Sequence, residues 1–527
     1  MNHRPILKNK VYLYLTEFFS GVSVMAVELG ASRLLAPYFS SSQIVWTIII
    51  GTIMIALALG NLWGGRTADK NPDTDRLYRR LLLAAVWIAA IPVLGKYIIL
   101  GISGALVLTV NTNFLVIAAF CACMVIFVFP CFLLGTVTPS LVKYTVDSLE
   151  DNGKTVGTLG ACNTIGSILG TFLPTFVTIP AVGTARTFLI FAAILAIISL
   201  AFFISRRRWI ARGAVSAVVI TALIFTPVNY SFAFWDSGDI VLEDESIYNY
   251  LQVTENESRI ALSTNVAFGV QSIKMKSGNM TGMYYDYALA APLMAENAQD
   301  VLILGLGTGT FAEQCLEYFP GCNVTGVEID EKIVNISREY FDLPEEVNAV
   351  VGDGRAWLTA SEDSYDVIMV DAYQDITIPF QMSSVEFFTE VYEHLNPGGV
   401  MVVNMSMRSE SEGSMNEYLI DTIASVFPHV YTVRVSAGTN LELFATADGD
   451  ALARFRERYP SEPEEYAAIM QRVDENLVTV EGGDYILTDD KAPVELLGMR
   501  VLDEIIAGEL DILRDQIAED GIMSLLS

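Results

Sequence analysis

The chain has 527 residues, of which 52% are hydrophobic, and its mean hydropathy is +0.43, which excludes an ordinary soluble enzyme. Its charge is unevenly divided. Residues 1–235 carry 17 Lys and Arg against 8 Asp and Glu, whereas residues 236–527 carry 15 against 53. Because so acidic a second half would repel phosphates, we predict no nucleic-acid partner for it.

The first 235 residues contain repeated apolar stretches, each long enough to cross a lipid bilayer. They predict a multi-pass transmembrane domain over 1–235 and a location in the cell membrane. The first stretch is too long and too polar for a cleaved signal peptide. About seven spans are expected, over residues 11–35, 43–64, 81–100, 113–135, 156–179, 184–204 and 213–233.

The orientation of these spans is left open. The strongest basic loops lie at 66–80 and 206–212, and placing both inside also places the N-terminus inside. Seven spans would then put the acidic half outside the cell. A re-entrant or interfacial span would instead keep it in the cytoplasm.

Polar and small residues mark two of the spans. Glu17 and Glu28 lie in the first span, with Arg33 at its end, and such charges indicate either pairing between helices or a transport or acceptor site. The run 157–170 has glycines at four positions, which predicts close helix packing. These glycines are Gly157, Gly160, Gly166 and Gly170.

The second half has two predicted parts. Short alternating runs near 250–253, 259–262 and 269–273 predict a small antiparallel β unit over 236–290. Strands and helices then alternate, which predicts an α/β doubly wound, Rossmann-like domain of methyltransferase type over 291–527. Its parallel strands are expected near 300–305, 323–329, 347–351, 365–371 and 398–404.

Four chemical signals stand at successive strand ends, where ligands bind in such sheets. They are the glycine-rich turn 305–309, Glu328, Asp353 and Asp371. Each has a structural explanation alone, as a turn, a strand end or a helix cap, but together they predict an adenosyl site. Glycine amides would face the amino-acid or aminopropyl tail and Glu328 the ribose diol, while Asp353 would face the adenine amino group and Asp371 the reacting centre.

The motifs that follow resemble those of spermidine synthases over about residues 240–410. They are Glu245-Ser-Ile-Tyr-Asn249, Tyr284-Tyr-Asp286, the Gly305 turn, Val327-Glu-Ile-Asp330, Gly352-Asp-Gly354 and Val370-Asp-Ala-Tyr-Gln-Asp375. With the apolar spans, the whole chain is similar to the membrane-bound, multi-pass polyamine aminopropyltransferases. The resemblance implies transfer of propylamine from decarboxylated S-adenosylmethionine to a small amine such as putrescine, giving spermidine and 5′-methylthioadenosine.

The resemblance also implies the roles of individual residues. Asp371 becomes the proton acceptor and Asp375 a second catalytic carboxylate; the three histidines, His3, His394 and His429, lie outside the motifs. The amine would be bound by Tyr285, Asp286 and Gln374. No metal is expected. The nucleoside co-substrate would be bound by Asn249, Gly305, Gly307, Thr308, Glu328, Asp353, Gly354 and Pro379.

The sequence departs from the family pattern on the amine side. Thr308 stands where the family's glycine-rich turn usually has Asp, and Tyr285 replaces a usual His. Asn249 replaces Gln, and Asp371 and Asp375 are four residues apart instead of three. Losing the carboxylate at position 308 weakens selection against the carboxylate of intact S-adenosylmethionine.

Two other functions therefore stay open. One is a methyltransferase that uses intact S-adenosylmethionine on an acceptor presented by the membrane, which Thr308 favours. The other is a polyamine transporter or sensor, which Glu17 and Glu28 leave open. A homo-oligomer is compatible with all three.

Overall fold

The structure is a computed structural model, and it divides the chain into two compact units. It describes residues 10–39, 42–107, 110, 113–145, 152–206, 214, 216, 239–265, 270–278, 280–372, 378–405, 409, 411–436 and 440–520. The helical unit comprises Met1–Trp235, Asp244–Tyr250 and Gln516–Ser527, and the α/β unit comprises Asp236–Glu243 and Leu251–Asp515. The three-domain division predicted from the sequence stays a prediction.

The described part of the helical unit is built from long apolar helices. A π-helical turn at Pro174–Thr178 leads into the last of them, which is interrupted at Gly183 by a non-helical backbone with φ 83° and ψ 164°. The helices are α1 (Lys10–Phe39), α2 (Gln43–Lys70), α3 (Thr74–Val107), α4 (Phe114–Ile126), α5 (Val128–Gly135), α6 (Val137–Thr145), α7 (Asn152–Leu173) and α8 (Ile179–Arg206).

Among the described residues, four helices are long and apolar enough to cross a membrane, or five if a pair bent by 48° counts as one span. The bent pair is Phe114–Ile126 with Val128–Thr145. The two spans predicted at 156–179 and 184–204 lie in one candidate, Gly153–Arg206, which contains the break at Gly183. The seventh predicted span, 213–233, lies outside the described residues apart from 214 and 216.

Glycines allow α1 and α7 to pack closely, as the small-residue run 157–170 predicted. Of the four glycines in that run, only Gly166 and Gly170 lie against α1. A Cβ on Gly166 would lie 2.1 Å from the Phe18 carbonyl oxygen, and one on Gly170 would lie 2.2 Å from that of Val22. A Cβ on Gly157 or Gly160 would have no atom of another element within 4 Å, so close packing does not explain these two glycines. The close approach begins between the second and third glycines, since a Cβ on Gly21 of α1 would lie 2.5 Å from the Asn163 carbonyl oxygen.

Two charged residues of α1, Glu17 and Arg33, bond to neighbouring polar groups. Glu17 is fully buried, and its Oε1 accepts hydrogen bonds from Thr138 Oγ1 at 2.6 Å and Asn163 Nδ2 at 2.8 Å. The Arg33 guanidinium donates to the Ile247 carbonyl. Hydrogen bonding of this kind offsets the cost of burying a carboxylate among apolar helices.

The α/β unit begins with the small antiparallel sheet that the alternating runs predicted. The order of its strands is β1-β2-β3-β4, and the sequence runs missed the first of them. The strands are β1 (Asp239–Glu245), β2 (Tyr250–Glu255), β3 (Arg259–Thr264) and β4 (Val270–Met275).

An eight-stranded sheet follows, in the order β12-β10-β11-β9-β8-β5-β6-β7. Its strands are β5 (Asp300–Leu304), β6 (Asn323–Glu328), β7 (Asn348–Val351), β8 (Tyr365–Val370), β9 (Leu395–Met405), β10 (His429–Arg434), β11 (Leu441–Thr446) and β12 (Val478–Val480). Its helices are α9 (Tyr284–Ala288), α10 (Ala290–Met294), α11 (Thr310–Tyr318), α12 (Glu331–Tyr340), α13 (Gly354–Ala360), α14 (Val385–Glu393), α15 (Met415–Ala424), α16 (Ala451–Arg458), α17 (Glu464–Asn476) and α18 (Val494–Asp520).

The five strands predicted to be parallel are confirmed as β5 to β9, and three further strands that the sequence did not predict add to the sheet in antiparallel fashion. Strands β5, β6, β7, β8 and β9 pair in parallel, as expected when each is joined to the next by a helix. Strand β11 then inserts antiparallel against β9, with β10 and β12 beyond it. The short connection 435–440 between β10 and β11 allows only an antiparallel pair.

The strand order reverses at β5, whose neighbours are β6 and β8. A crevice opens at such a switch point beyond the carboxyl ends of the strands. Apolar clusters cover both faces of the sheet, including Val301 and Ile303 on one face and Leu302 and Leu304 on the other. The polar chemistry is therefore confined to the edge of the sheet.

Gly305 allows the two strand ends on either side of the crevice to meet. Its φ is 95°, and a Cβ on it would lie 2.4 Å from the carbonyl oxygen of Asp371 and 2.7 Å from Cα of Ala372. The backbone N–H of Asp371 in turn donates to the Leu304 carbonyl at 2.9 Å. Only a residue without a side chain fits this backbone conformation and this contact.

Gly305→Ala should therefore destabilise the protein, whereas Gly352→Ala should not. A Cβ on Gly352 would meet nothing within 4 Å. We expect Gly305→Ala to cost at least about 2 kcal/mol and to lower the unfolding temperature by roughly 5 °C, and Gly352→Ala to change stability by less than about 0.5 kcal/mol. Thermal unfolding of the two purified variants measures this difference, and equal melting would contradict the contact at Gly305.

Candidate active site

Asp371 lies at the switch point, directly after β8. Its Oδ2 accepts from the Tyr284 hydroxyl at 2.6 Å, and its Oδ1 accepts from Asn404 Nδ2 at 2.8 Å. Burial raises the pKa of this carboxyl to about 7, against the lowering effect of the two hydrogen bonds. A carboxylate with a pKa near neutrality is suited to accepting a proton at physiological pH.

The network continues along the sheet edge into the antiparallel strands. Asn440 Nδ2 donates to Asn404 Oδ1 at 2.8 Å, which orients the Asn404 amide so that its nitrogen faces Asp371. Glu442, on β11, is directly opposite Asn404 on β9. Burial and the nearby Asp371 hold the pKa of Glu442 well above its usual range.

Glu328 and the glycine-rich turn form the other side of the switch point. Glu328 Oε2 accepts from the Gly307 N–H at 3.0 Å, and Oε1 accepts from the Asp330 N–H at 3.1 Å. Burial raises the pKa of Glu328 to about 7. Each oxygen uses one of its lone pairs in these bonds, which leaves acceptor capacity for the two hydroxyls of a ribose.

Thr308 lies in the same turn and is almost completely buried. Its N–H donates to Ser272 Oγ at 3.1 Å, while its own Oγ1 is buried and makes no hydrogen bond with any described residue. A buried hydroxyl without a partner costs free energy unless a ligand satisfies it. The turn is therefore polar where the tail of a nucleoside would end.

Asp353 and Gly354 stand where β7 leads into α13. The Asp353 side chain caps that helix by accepting from the Ala356 N–H at 2.8 Å, and its exposed carboxylate retains a second oxygen for a ligand. Pro379 precedes a 3₁₀ turn, Phe380–Met382, and its carbonyl accepts from the Met382 N–H. Their predicted nucleoside contacts stay predictions.

Two of the three residues predicted to bind the amine, Asp286 and Tyr285, are held by hydrogen bonds within the protein. Asp286 is fully buried and accepts from the N–H groups of Thr281 and Gly282 and from Gln314 Nε2. The Tyr285 hydroxyl donates to the Gln271 carbonyl. These bonds fix both side chains within the fold, and the amine-binding roles predicted for them stay predictions.

The structure does not test the roles predicted for three other residues. Asn249 lies in a turn of the helical unit, where its N–H donates to Ser246 Oγ at 2.8 Å. In the same segment, the Glu245 carboxylate accepts from the Thr184 N–H at 2.8 Å. Gln374 and Asp375 lie outside the described residues, and the roles predicted for all three stay predictions.

Sequence reasoning missed four members of the site. Tyr284 belongs to the Tyr284-Tyr-Asp286 motif, but the resemblance assigns a role in the site, that of binding the amine, to Tyr285 and not to Tyr284. Asn404, Asn440 and Glu442 carry no motif, because they reach Asp371 only through the pairing of β9 with β11. A lone Glu between Leu441 and Leu443 was the one available signal, since an acid inside an apolar strand is unusual.

Together, these groups form an acidic edge suited to cationic substrates. Asp371 and Glu442 are close enough to interact electrostatically, and no described Lys, Arg or His pairs with either. Within the described ranges, no group of three or more His, Cys, Asp or Glu could hold a metal ion. The arrangement can bind an ammonium and accept a proton from it.

Comparisons with known proteins agree with this chemistry. Residues 283–445 match the spermine/spermidine synthase domain. A probable polyamine aminopropyl transferase of Bifidobacterium longum is 51% identical over 349 residues, which span 62% of this chain and 77% of that protein. The chain belongs to the polyamine aminopropyltransferase family. It is an aminopropyltransferase.

This aminopropyltransferase is also similar to more distant proteins. An N-terminal histidine N-methyltransferase of Emericella nidulans is 28% identical over 184 residues, which span 32% of each chain. A spermidine synthase structure from Thermotoga maritima is 18% identical and covers 43% of this chain and 79% of its own, with a TM-score of 0.37.

Tyr284→Phe should move the acidic limb of the enzyme's pH profile upwards. The hydroxyl stabilises the ionised form of Asp371, so its loss raises the pKa of that carboxyl, and a hydrogen bond to a charged group is worth about one pKa unit or more. The rate constant kcat/KM should therefore begin to fall at a pH about one unit higher. Tyr287→Phe is the matched control, because that hydroxyl is hydrogen-bonded to Ser436 Oγ at 2.9 Å and not to Asp371. Equal shifts in both variants would contradict the role of Tyr284.

Proposed function

We propose that this enzyme transfers the aminopropyl group of decarboxylated S-adenosylmethionine to a primary amine such as putrescine. The products are spermidine and 5′-methylthioadenosine. The observation that carries the proposal is the half-buried Asp371, with a pKa near 7, beside the glycine-rich turn in a chain of this family. Asp371 supplies a proton acceptor at the place where the tail of an adenosyl co-substrate would end.

In the reaction, the amine nitrogen attacks the methylene carbon attached to the sulfonium. A carbon–nitrogen bond forms, the carbon–sulfur bond breaks, and its electron pair stays on the sulfur of 5′-methylthioadenosine. The proton released by the amine passes to the Asp371 carboxylate. Because a sulfonium is already a good leaving group, positioning and charge complementarity supply most of the catalysis.

The two sides of the switch point divide the work between the substrates. Glu328 and the turn amides would hold the nucleoside, since the carboxylate retains acceptor capacity and lies next to the Gly307 N–H. Tyr284 and Asn404 orient the Asp371 carboxylate through both of its oxygens. The base is thereby fixed before the amine arrives, which lowers the cost of reaching the reactive geometry.

We further propose that the helical unit crosses the cell membrane several times. The length and composition of the four candidate helices, or five with the bent pair, support this. The basic composition of residues 1–235 also agrees, since it would place the loops next to an anionic membrane surface.

Product identification tests the reaction. The purified enzyme would be incubated with decarboxylated or intact S-adenosylmethionine and a mixture of amines, and the released thionucleoside would be identified by mass spectrometry. We expect 5′-methylthioadenosine with the decarboxylated form. Asp371→Asn should lower turnover by about two to four orders of magnitude, because it removes the base and keeps its shape.

Asp363→Asn is the matched control for that variant. Asp363 is an exposed carboxylate just before β8 and has no part in the site, so its turnover should stay at the wild-type level. Release of S-adenosylhomocysteine from intact S-adenosylmethionine alone would instead establish the methyltransferase. Full turnover by Asp371→Asn would place the base elsewhere.

Thr308→Asp should increase the preference for the decarboxylated co-substrate by tenfold or more. Two unit charges about 4 Å apart interact by roughly 4 kcal/mol at an effective dielectric near 20, so an added carboxylate disfavours the carboxylate of intact S-adenosylmethionine. Thr308→Asn has the same shape as the Asp variant without its charge and should leave the preference unchanged. Competition binding of the two forms measures the ratio, and the same ratio in both variants would contradict the placement of Thr308 at the tail.

A further inference from the structure

Glu442 is a buried acid that the reaction described above does not use. Its side chain is fully buried, and neither carboxylate oxygen has a hydrogen-bond partner among the described residues. It lies between Leu441 and Leu443 in a strand whose residues are all buried. A buried carboxyl group without partners is strongly unfavourable, so an explanation is needed for its presence here.

The sheet order places Glu442 on the acceptor side of Asp371. Along the sheet edge, Glu328 ends β6, the glycine-rich turn follows β5 and Asp371 follows β8. Strand β11 runs antiparallel to β9, so its first residues lie at the same edge as the carboxyl ends of the parallel strands. Glu442 is therefore on the far side of Asp371 from the predicted nucleoside site.

Cross-strand pairing directs Glu442 towards the same network as Asp371. Residues directly opposite each other on neighbouring strands have their side chains on one face, with Cβ atoms about 5 Å apart. Glu442 is opposite Asn404, whose amide donates to Asp371. Glu442 also interacts electrostatically with Asp371 and with Tyr285.

We propose that Glu442 binds a second ammonium group of the acceptor, while the first reacts beside Asp371. This rests on the proposed function and adds a residue that neither the motifs nor the family resemblance assigned. The ligand would be an alkylamine with two cationic nitrogens separated by an apolar chain. Its ammonium would donate hydrogen bonds to the free Glu442 oxygens and compensate the buried charge.

A purely structural role explains the presence of Glu442 less well than ligand binding does. A structural acid in a core is held by donors, as Asp286 is held by Thr281, Gly282 and Gln314. Glu442 has no such donors in the part of the chain that the structure describes. An apolar residue there would fill the core without any cost of burying a charge.

Acceptor selectivity tests the proposal. The full-length enzyme and Glu442→Gln would be compared with putrescine and with butylamine, which has the same carbon chain and one nitrogen. With putrescine, we expect kcat/KM to fall by at least tenfold in the variant. With butylamine it should change by less than about twofold, and KM for the decarboxylated co-substrate should also be unchanged. Glu442→Asp, which keeps the charge, should recover part of the loss.

Two outcomes would overturn the proposal. An equal loss with both amines would show a structural role, and a change confined to the co-substrate KM would place Glu442 at the aminopropyl tail. Calorimetric binding of putrescine and butylamine to both proteins applies the same comparison without turnover. If no amine supports 5′-methylthioadenosine release, the proposed function fails, and a tenfold loss of putrescine binding alone would still support the ammonium site.

Discussion

The cost of burying carboxylates without cationic partners governs the design of this site. Glu328, Asp371 and Glu442 lie along one edge of the main sheet, and burial raises the pKa of each. Desolvation disfavours their charged forms, and the fold compensates it only in part, with two donors at Glu328, two at Asp371 and none described at Glu442. A cationic substrate can offset the part of this desolvation cost that the donors leave uncompensated.

The three carboxylates differ in the hydrogen bonds they receive, and this difference matches their different roles in ligand binding and catalysis. Glu328 bonds to backbone N–H groups, which are fixed by the turn and cannot move away. Asp371 bonds to two side chains that orient it and keep its pKa near neutrality, where a proton acceptor is most effective. Glu442 has the least support from the protein, which suits a group that interacts mainly with a ligand.

Within each unit, a close approach of two backbone segments sets the local geometry. In the α/β unit, Gly305 lets the turn after β5 reach the chain at Asp371. In the helical unit, Gly166 and Gly170 let α7 reach the backbone of α1. In each place the lack of a side chain sets the distance between two elements, and the polar groups nearby take their geometry from that distance.

The sequence alone determined the parallel half of the sheet and its ligand edge. Apolar runs followed by Gly305, Glu328, Asp353 and Asp371 are local patterns, and each strand end carries its own signal. It also determined the apolar helices, whose length and composition are properties of a continuous segment. The hydrogen-bond partners of Asp286 and Tyr285 could not be predicted, because they come from other elements.

Only the tertiary structure brought Asn404, Asn440 and Glu442 to Asp371. Their positions depend on β11 inserting antiparallel between β9 and β10, a pairing between strands far apart in sequence. A one-residue change of that register would turn Glu442 to the opposite face of the sheet. Motifs therefore could not identify the residues on the acceptor side of the site. The strand register that places them is fixed by the packing of the whole sheet and not by any single segment.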